Sequence, residues 1–434
     1  MAGMKAFDPV GMIAVCSCIA ILVAVAGRAW AQAPEAPGRV EIRVGIDDGD
    51  LRGGDHRALQ AAVDYVAGLG GGTVRIGPGR YVMRNALFLR DNVRVVGTPG
   101  ETVLAVADAA SSALAVDGDC NELQITLADP SGFRVGDGVA VRDKRFGGGF
   151  CVTTATLTEQ LEPATFRIST PLYLDYYVSK EGTAQRIFPA VAGLEIGNAA
   201  VEGLTIEGNG EHSFWLDGCR GGGIFLFKCA DVHIRGCTVR DYNGDGISFQ
   251  VSSDVIVEDC LAEHNMGYGL HPGSGSQRPV MRSNRSLNNG SDGMYVCWRV
   301  RHGLFEGNEL RGNGRVGISI GHKDSDNEFR ENLIAESAQA GVLFRREDEP
   351  MGAHRNVFEH NRIVDNGLAG GVRACVVVEG HHLGVAFRHN EIGNSKPGAP
   401  TQLGIFVGAD AGGFIAEGNT FTHVEQEMES EQGG

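Results

Sequence analysis

From about residue 193 to residue 422, apolar and polar positions alternate in short runs that recur every 23 to 29 residues. Each unit opens on a Gly-apolar-x-apolar run, as in GIFLFK, GISFQV, GLHPGS, GMYVCW, GISIGH and GVLFRR. A second short run follows, and then a residue at a fixed place. That column reads Asn209, Cys237, Cys260, Asn284, Asn308, Asn332, Asn361, Asn390 and Asn419. A coil of this length cannot bury its apolar positions alone, so the pattern predicts stacked coils around one shared core. Strands in such a stack repeat at about 4.8 Å. The Asn column belongs inside a bend, each amide bonding to the coils above and below. In each Gly-led run the first and third residues after Gly point inward and the second points outward. A leucine-rich repeat needs a leucine-dominated pattern, which is absent.

Upstream the pattern changes. DHRALQAAVDYVAGLGGG predicts a helix with Asp55 as N-cap and the glycines 70–72 as its stop. GTVRIGPGRYVM and ALFLRDNVRVVG predict strands, so residues 45–116 read as a capping helix and the first coils. Residues 117–190 hold longer strand patterns without the coil-length repeat and read as a β-rich insertion. At the N-terminus, Lys5, an apolar run and Ala29-Trp30-Ala31 form a signal-peptide pattern over residues 1–31. Residues 32–44 read as a linker, residues 191–422 as the main body of coils, and residues 423–434 as an acidic disordered tail. The expected location is therefore secreted or periplasmic, with no stable membrane span after cleavage.

Hydrophobic content of 42% supports a buried core and argues against global disorder. After cleavage the chain would carry 36 Lys and Arg against 53 Asp and Glu, a formal charge of −17. That balance argues against nucleic acid as a partner. Eight cysteines remain, with no CxxC pair, so a zinc site is disfavoured. Cys237 and Cys260 share one repeat position and can either stack or bond. The oligomeric state is not legible.

The residue column and the N-terminal helix resemble the right-handed parallel β-helix proteins of the pectate-lyase-like superfamily, over roughly residues 45–115 and 193–422. The resemblance implies an all-β solenoid. That superfamily includes polysaccharide lyases, uronan epimerases, glycoside hydrolases and adhesins, so the implied partner is a polysaccharide. YGLHPG also resembles an element of mannuronan C5-epimerases in which a Pro-His pair is flanked by acidic residues. Here the order is His271-Pro272, between Leu270 and Gly273, so no family role is carried onto His271.

The outward column reads Phe225, Ser248, His271, Tyr295, Ser319 and Leu343. Farther along the same coils stand Trp298, Arg299, His322, Lys323, Asp324, Arg345 and Arg346; just before the runs stand Asp245, Tyr268 and Asp292. A local strip of cations on an acidic chain suits an anionic ligand. Removing the C5 proton of a uronate needs a base and a cation on the carboxylate. This predicts His271 as base and Tyr295 as proton donor, with Arg299, Lys323 or Arg345 on the carboxylate and His322 among the catalytic candidates. Tyr268, Trp298, Asp245, Asp292, Asp324 and Arg346 are the expected substrate contacts. The chemistry would be that of a lyase or C5-epimerase. The alternatives are a glycoside hydrolase and a non-catalytic carbohydrate-binding surface protein. For the hydrolase, Asp245 and Asp292 lie two coils apart, about 9.6 Å along the axis, a separation that fits an inverting pair. No cofactor or metal is expected. DYNGDG starts like an EF-hand loop, but its twelfth position is Ser252, and calcium is not specified.

Overall fold

The computed structural model describes residues 40–145 and 148–431. The expected signal peptide, residues 32–39 of the linker and residues 432–434 of the tail lie outside the described residues. Three long parallel sheets of 13, 11 and 11 strands run the length of the molecule. Each coil gives one strand to each sheet: Ile256–Glu258 to the first, Leu261–Glu263 to the second and Leu270–Pro272 to the third. The chain is thus a parallel β-helix. No helix among the described residues is long and apolar enough to cross a membrane.

Register follows the Gly-led runs. Ile247 pairs with Leu270, Leu270 with Met294, Met294 with Ile318 and Ile318 with Val342, all buried. On the first sheet Phe305, Phe329, Phe358 and Phe387 stack with centroids 4.6, 4.4 and 4.6 Å apart. Ring stacking therefore keeps pace with the strand spacing, and each buried ring contributes about 1.5–3 kcal/mol.

The asparagine ladder is continuous from Asn284 to Asn419. Each side-chain Nδ2 donates to the next Oδ1 at 2.9–3.0 Å, from Asn284 to Asn308, Asn332, Asn361, Asn390 and Asn419. The head of the column differs from the expected one. Thr205 pairs with Thr238, so Leu204 occupies the place before the strand, and Asn209 instead donates to Asp108. Cys237 and Cys260 fill the next two places and are both free thiols.

The helix His56–Gly68 closes the N-terminal end, burying Leu59, Ala62, Val63 and Val66. Asp55 accepts from the Arg57 N–H at 2.9 Å, and glycines 70, 71 and 72 follow with positive φ. Two expectations are corrected at the ends. Residues 40–44 are not linker: Val40–Gly45 is a strand paired with Gly72–Ile76, because VEIRVG alternates and packs Val44 inward. The tail is not wholly irregular either, since Gln426–Ser430 pairs with Leu403–Val407 at the edge of the third sheet.

Between the strands Thr102–Val106 and Val191–Leu194 the chain leaves the coil. It forms a six-stranded antiparallel sheet with its own core, including Val139, Val141, Leu157, Phe166 and Tyr176. Longer alternating strands favour hairpins over coils here.

Candidate functional site

The outward face of the third sheet carries the polar cluster. Pairing of Phe225 with Ser248 and His271, and of Tyr295 with Ser319 and Leu343, sets these residues in one column beside the buried apolar ones. Asp245, Tyr268 and Asp292 each precede the glycine of successive strands, so they stack at one bend.

At the centre His271 Nδ1 lies 2.6 Å from Asp245 Oδ2. The other Asp245 oxygen accepts the Tyr268 backbone N–H at 2.9 Å, so the carboxylate is used on both sides. Burial alone would lower the His271 pKa, but Asp245 and Cys297 beside it outweigh that and push it up to about 10. Tyr268 and Tyr295 stack with centroids 4.4 Å apart and planes within 5°, and His271 meets both rings edge-on at 5.3 and 5.4 Å. The Arg345 guanidinium lies 4.4 Å over the Tyr295 ring. It is held there by Ser319 Oγ at 2.9 Å, the Val296 carbonyl at 2.9 Å and Asp324 at 3.3 Å. Burial pushes the Tyr295 phenol up to about 12 against the pull of Arg345, and burial raises Tyr268 as well. Both rings are half-buried, and among the described residues neither hydroxyl has a hydrogen-bond partner.

The aspartates are committed elsewhere. Asp292 is clamped by Arg315 through two bonds of 2.7 and 2.6 Å. Asp324 accepts the Val300 and Gly321 N–H groups, and burial raises its pKa to about 7. Asp245, Asp292 and Asp324 are fully buried. The expected inverting pair and the expected Asp contacts to substrate are therefore corrected: these carboxylates tie bends and cations together and do not face solvent.

His271 is also corrected in part. It stands in the outward column as expected, yet its exposure is only 2%. Residues 213–222, which lead into the strand Ile224–Phe227, cross over it. A Cβ at Gly218 would overlap the Asp245 carboxylate and approach His271 Nδ1 to 2.5 Å, so glycine is what lets the strap close. Ser248 Oγ and Gln250 Nε2 both donate to the Gly218 carbonyl, at 2.7 and 3.2 Å.

The remaining candidates form a second group at the turn after the third-sheet strands. Trp298 and His322 stack at 4.2 Å, and His322 Nδ1 lies 2.5 Å from Glu347. Arg299 donates its backbone N–H to the His322 carbonyl, and Lys323 stands one coil on. Arg299 and Arg346 are exposed, Lys323 is half-buried, and none of the three has an ion pair among the described residues. His322 thus belongs with Trp298 and Glu347, away from the His271–Asp245 pair. Sequence reasoning missed Arg315, Trp215 and Gly218. Arg315 stands just before the run GISI, while the other two lie in a stretch with no repeat. Among the described residues, no group of three or more His, Cys, Asp or Glu is arranged to hold a metal ion.

The model of the right handed beta helix region matches residues 190–282 and 274–421. Among solved structures, the chain is similar to the A-module of mannuronan C-5 epimerase AlgE6 from Azotobacter vinelandii. Identity is 17%, with 90% of this chain and 97% of that chain covered and a TM-score of 0.56. It is also similar to a polygalacturonase from Erwinia carotovora ssp. carotovora, at 11% identity, 86% and 93% coverage and a TM-score of 0.52. A third similar structure is PfbA, a surface adhesin of Streptococcus pneumoniae, at 11% identity, 90% and 94% coverage and a TM-score of 0.53. No curated protein matches the chain. Identities this low speak to fold alone, and enzymes and an adhesin share it.

Proposed function

The chain belongs to the right-handed beta helix family, and from the cluster on its third sheet we propose that it acts on an anionic polysaccharide by proton transfer at C5 of a uronate. One observation carries this reading: two stacked phenols with unpartnered hydroxyls, next to an arginine and backed by a buried His–Asp pair. The C5 proton passes to the Tyr268 oxygen once that phenol has given its own proton to solvent, and Tyr295, kept a phenol at neutral pH, returns a proton to C5 in epimerisation or to the departing glycosidic oxygen in elimination. Arg345 and Arg315 lend positive potential to the enolate-like intermediate. His271, buried and bonded to Asp245, is a positioning residue that fixes the two rings from their edges. Arg299, Lys323 and Arg346 hold the carboxylates of neighbouring sugars. Two similar structures carry the names of a mannuronan C-5 epimerase and a polygalacturonase, which agrees with a uronan ligand.

The test is a panel of alginate and pectate with three readouts. Ultraviolet absorbance of an unsaturated uronate marks elimination, and solvent proton exchange without cleavage marks epimerisation. New reducing ends without that absorbance mark hydrolysis and overturn the proposal, as does binding with no turnover. Tyr295→Phe keeps the ring under Arg345 and removes only the hydroxyl. It should lower turnover about 10²–10⁴-fold with the fold intact; unchanged turnover removes Tyr295 from the chemistry.

A further inference from the structure

Residues 213–222 do more than cover His271. They carry Trp215, a residue 37% exposed whose indole N–H has no hydrogen-bond partner among the described residues. One edge of that ring lies against the backbone at Gly267, the residue before Tyr268: a Cβ at 267 would come within 2.9 Å of Trp215 Cη2. A partly exposed aromatic ring with no bonded N–H among the described residues therefore stands against the backbone that leads into Tyr268.

The six-stranded sheet holds this strap in place through several independent contacts. Arg142 donates to the Trp215 carbonyl at 2.9 Å. Arg220 donates to the Phe150 carbonyl at 2.6 Å, and its guanidinium lies over the Tyr173 ring at 4.4 Å and the Phe150 ring at 5.1 Å. Leu216 is fully buried among Ala140, Val152 and Ile187. From the coil side Asn243 donates to the Phe214 carbonyl at 2.5 Å. Ordering one loop with this many partners is costly in entropy, which makes sense where its position matters.

We propose that Trp215 is a sugar-stacking platform beside the bend that carries Tyr268, and that the six-stranded sheet serves to hold it there. The ligand class is a pyranose ring of the anionic glycan, stacked on the indole face with a hydroxyl accepting from Nε1. This rests on the functional reading above.

The test uses the whole chain with Trp298 retained, and the contribution of Trp215 is read as the fluorescence difference from Trp215→Phe. Alginate and pectate oligosaccharides are titrated against it. Quenching on binding is expected, with about tenfold weaker binding in Trp215→Ala and near-full recovery in Trp215→Phe. Arg220→Ala, which loosens the strap from Phe150 and Tyr173 without touching the Trp215 ring, should weaken binding in the same direction. If an oligosaccharide binds and Trp215→Ala binds it equally well, the platform is overturned while the functional reading stands. If no oligosaccharide binds the parent protein, both fall together.

Discussion

His271 has its imidazole closed off from water, and the contact it makes with Asp245 ties it to stability as much as to chemistry. Removing it strands a buried carboxylate, so His271→Ala should cost about 3–5 kcal/mol in unfolding free energy. The pH dependence has a definite sign. The folded pKa, up to about 10, lies above the ordinary value of 6.5 for an unfolded histidine. The pair's stabilisation is therefore complete below about pH 6.5 and is lost as pH rises through about 10. Thermal melts of the parent protein should decline across that window, and His271→Gln should lack this part of the decline. Parallel slopes in the two proteins would show that the proton is not held where the geometry suggests. The Tyr295 hydroxyl, raised to about 12 from an ordinary value of 10, adds its slope mainly above that window, between about 10 and 12.

The coil is the unit in which the repeat is most easily read, and the ladder shows why. Asn332 accepts from the backbone and side chain of Asn308, donates to the Phe305 carbonyl, and donates again to Asn361. Asn332→Ala leaves buried groups unpaired on both neighbouring coils and should destabilise by about 2–4 kcal/mol. Chemical denaturation measures it, and a loss under about 0.5 kcal/mol, the scale of a surface change, would mean that water replaces the amide. Periodicity made this column legible, and with it the outward places of His271 and Tyr295. It misled at Asn209, because the text IEGN imitates the later units while the pairing of Thr205 with Thr238 sets a different register. What had no period stayed hidden. The strap with Trp215 and Gly218 is defined by contacts to a sheet many residues away, and the Arg315–Asp292 clamp forms only when two coils stack. Burial was equally invisible: alternation points Asp245, Asp292 and Asp324 to a face without saying whether that face is covered.

Over the whole molecule, an acidic chain keeps several cations unpaired along one edge among the described residues, which on the proposed function would receive a polyanion. The outer faces of the first and second sheets neutralise themselves in cross-coil pairs such as Arg94–Glu202, Arg330–Glu306, Arg285–Glu309 and Arg362–Glu391. Arg299, Lys323 and Arg346 are different, since no carboxylate pairs with them among the described residues and all three border the third sheet. With a formal charge of −16 on the full chain, long-range attraction to a uronan cannot come from net charge. On the proposed function it comes from this edge, within a screening length of about 10 Å at 0.1 M salt and about 3 Å at 1 M. Raising salt across that range should therefore raise KM for alginate or pectate and leave kcat nearly unchanged, because Tyr295 and its buried supports are shielded from ions. The triple variant Arg299→Gln, Lys323→Gln, Arg346→Gln should start with the high KM and respond little to salt. A variant that keeps the parent's salt response would assign the attraction to Arg315 and Arg345 instead, and would place polymer capture and proton transfer in a single pocket.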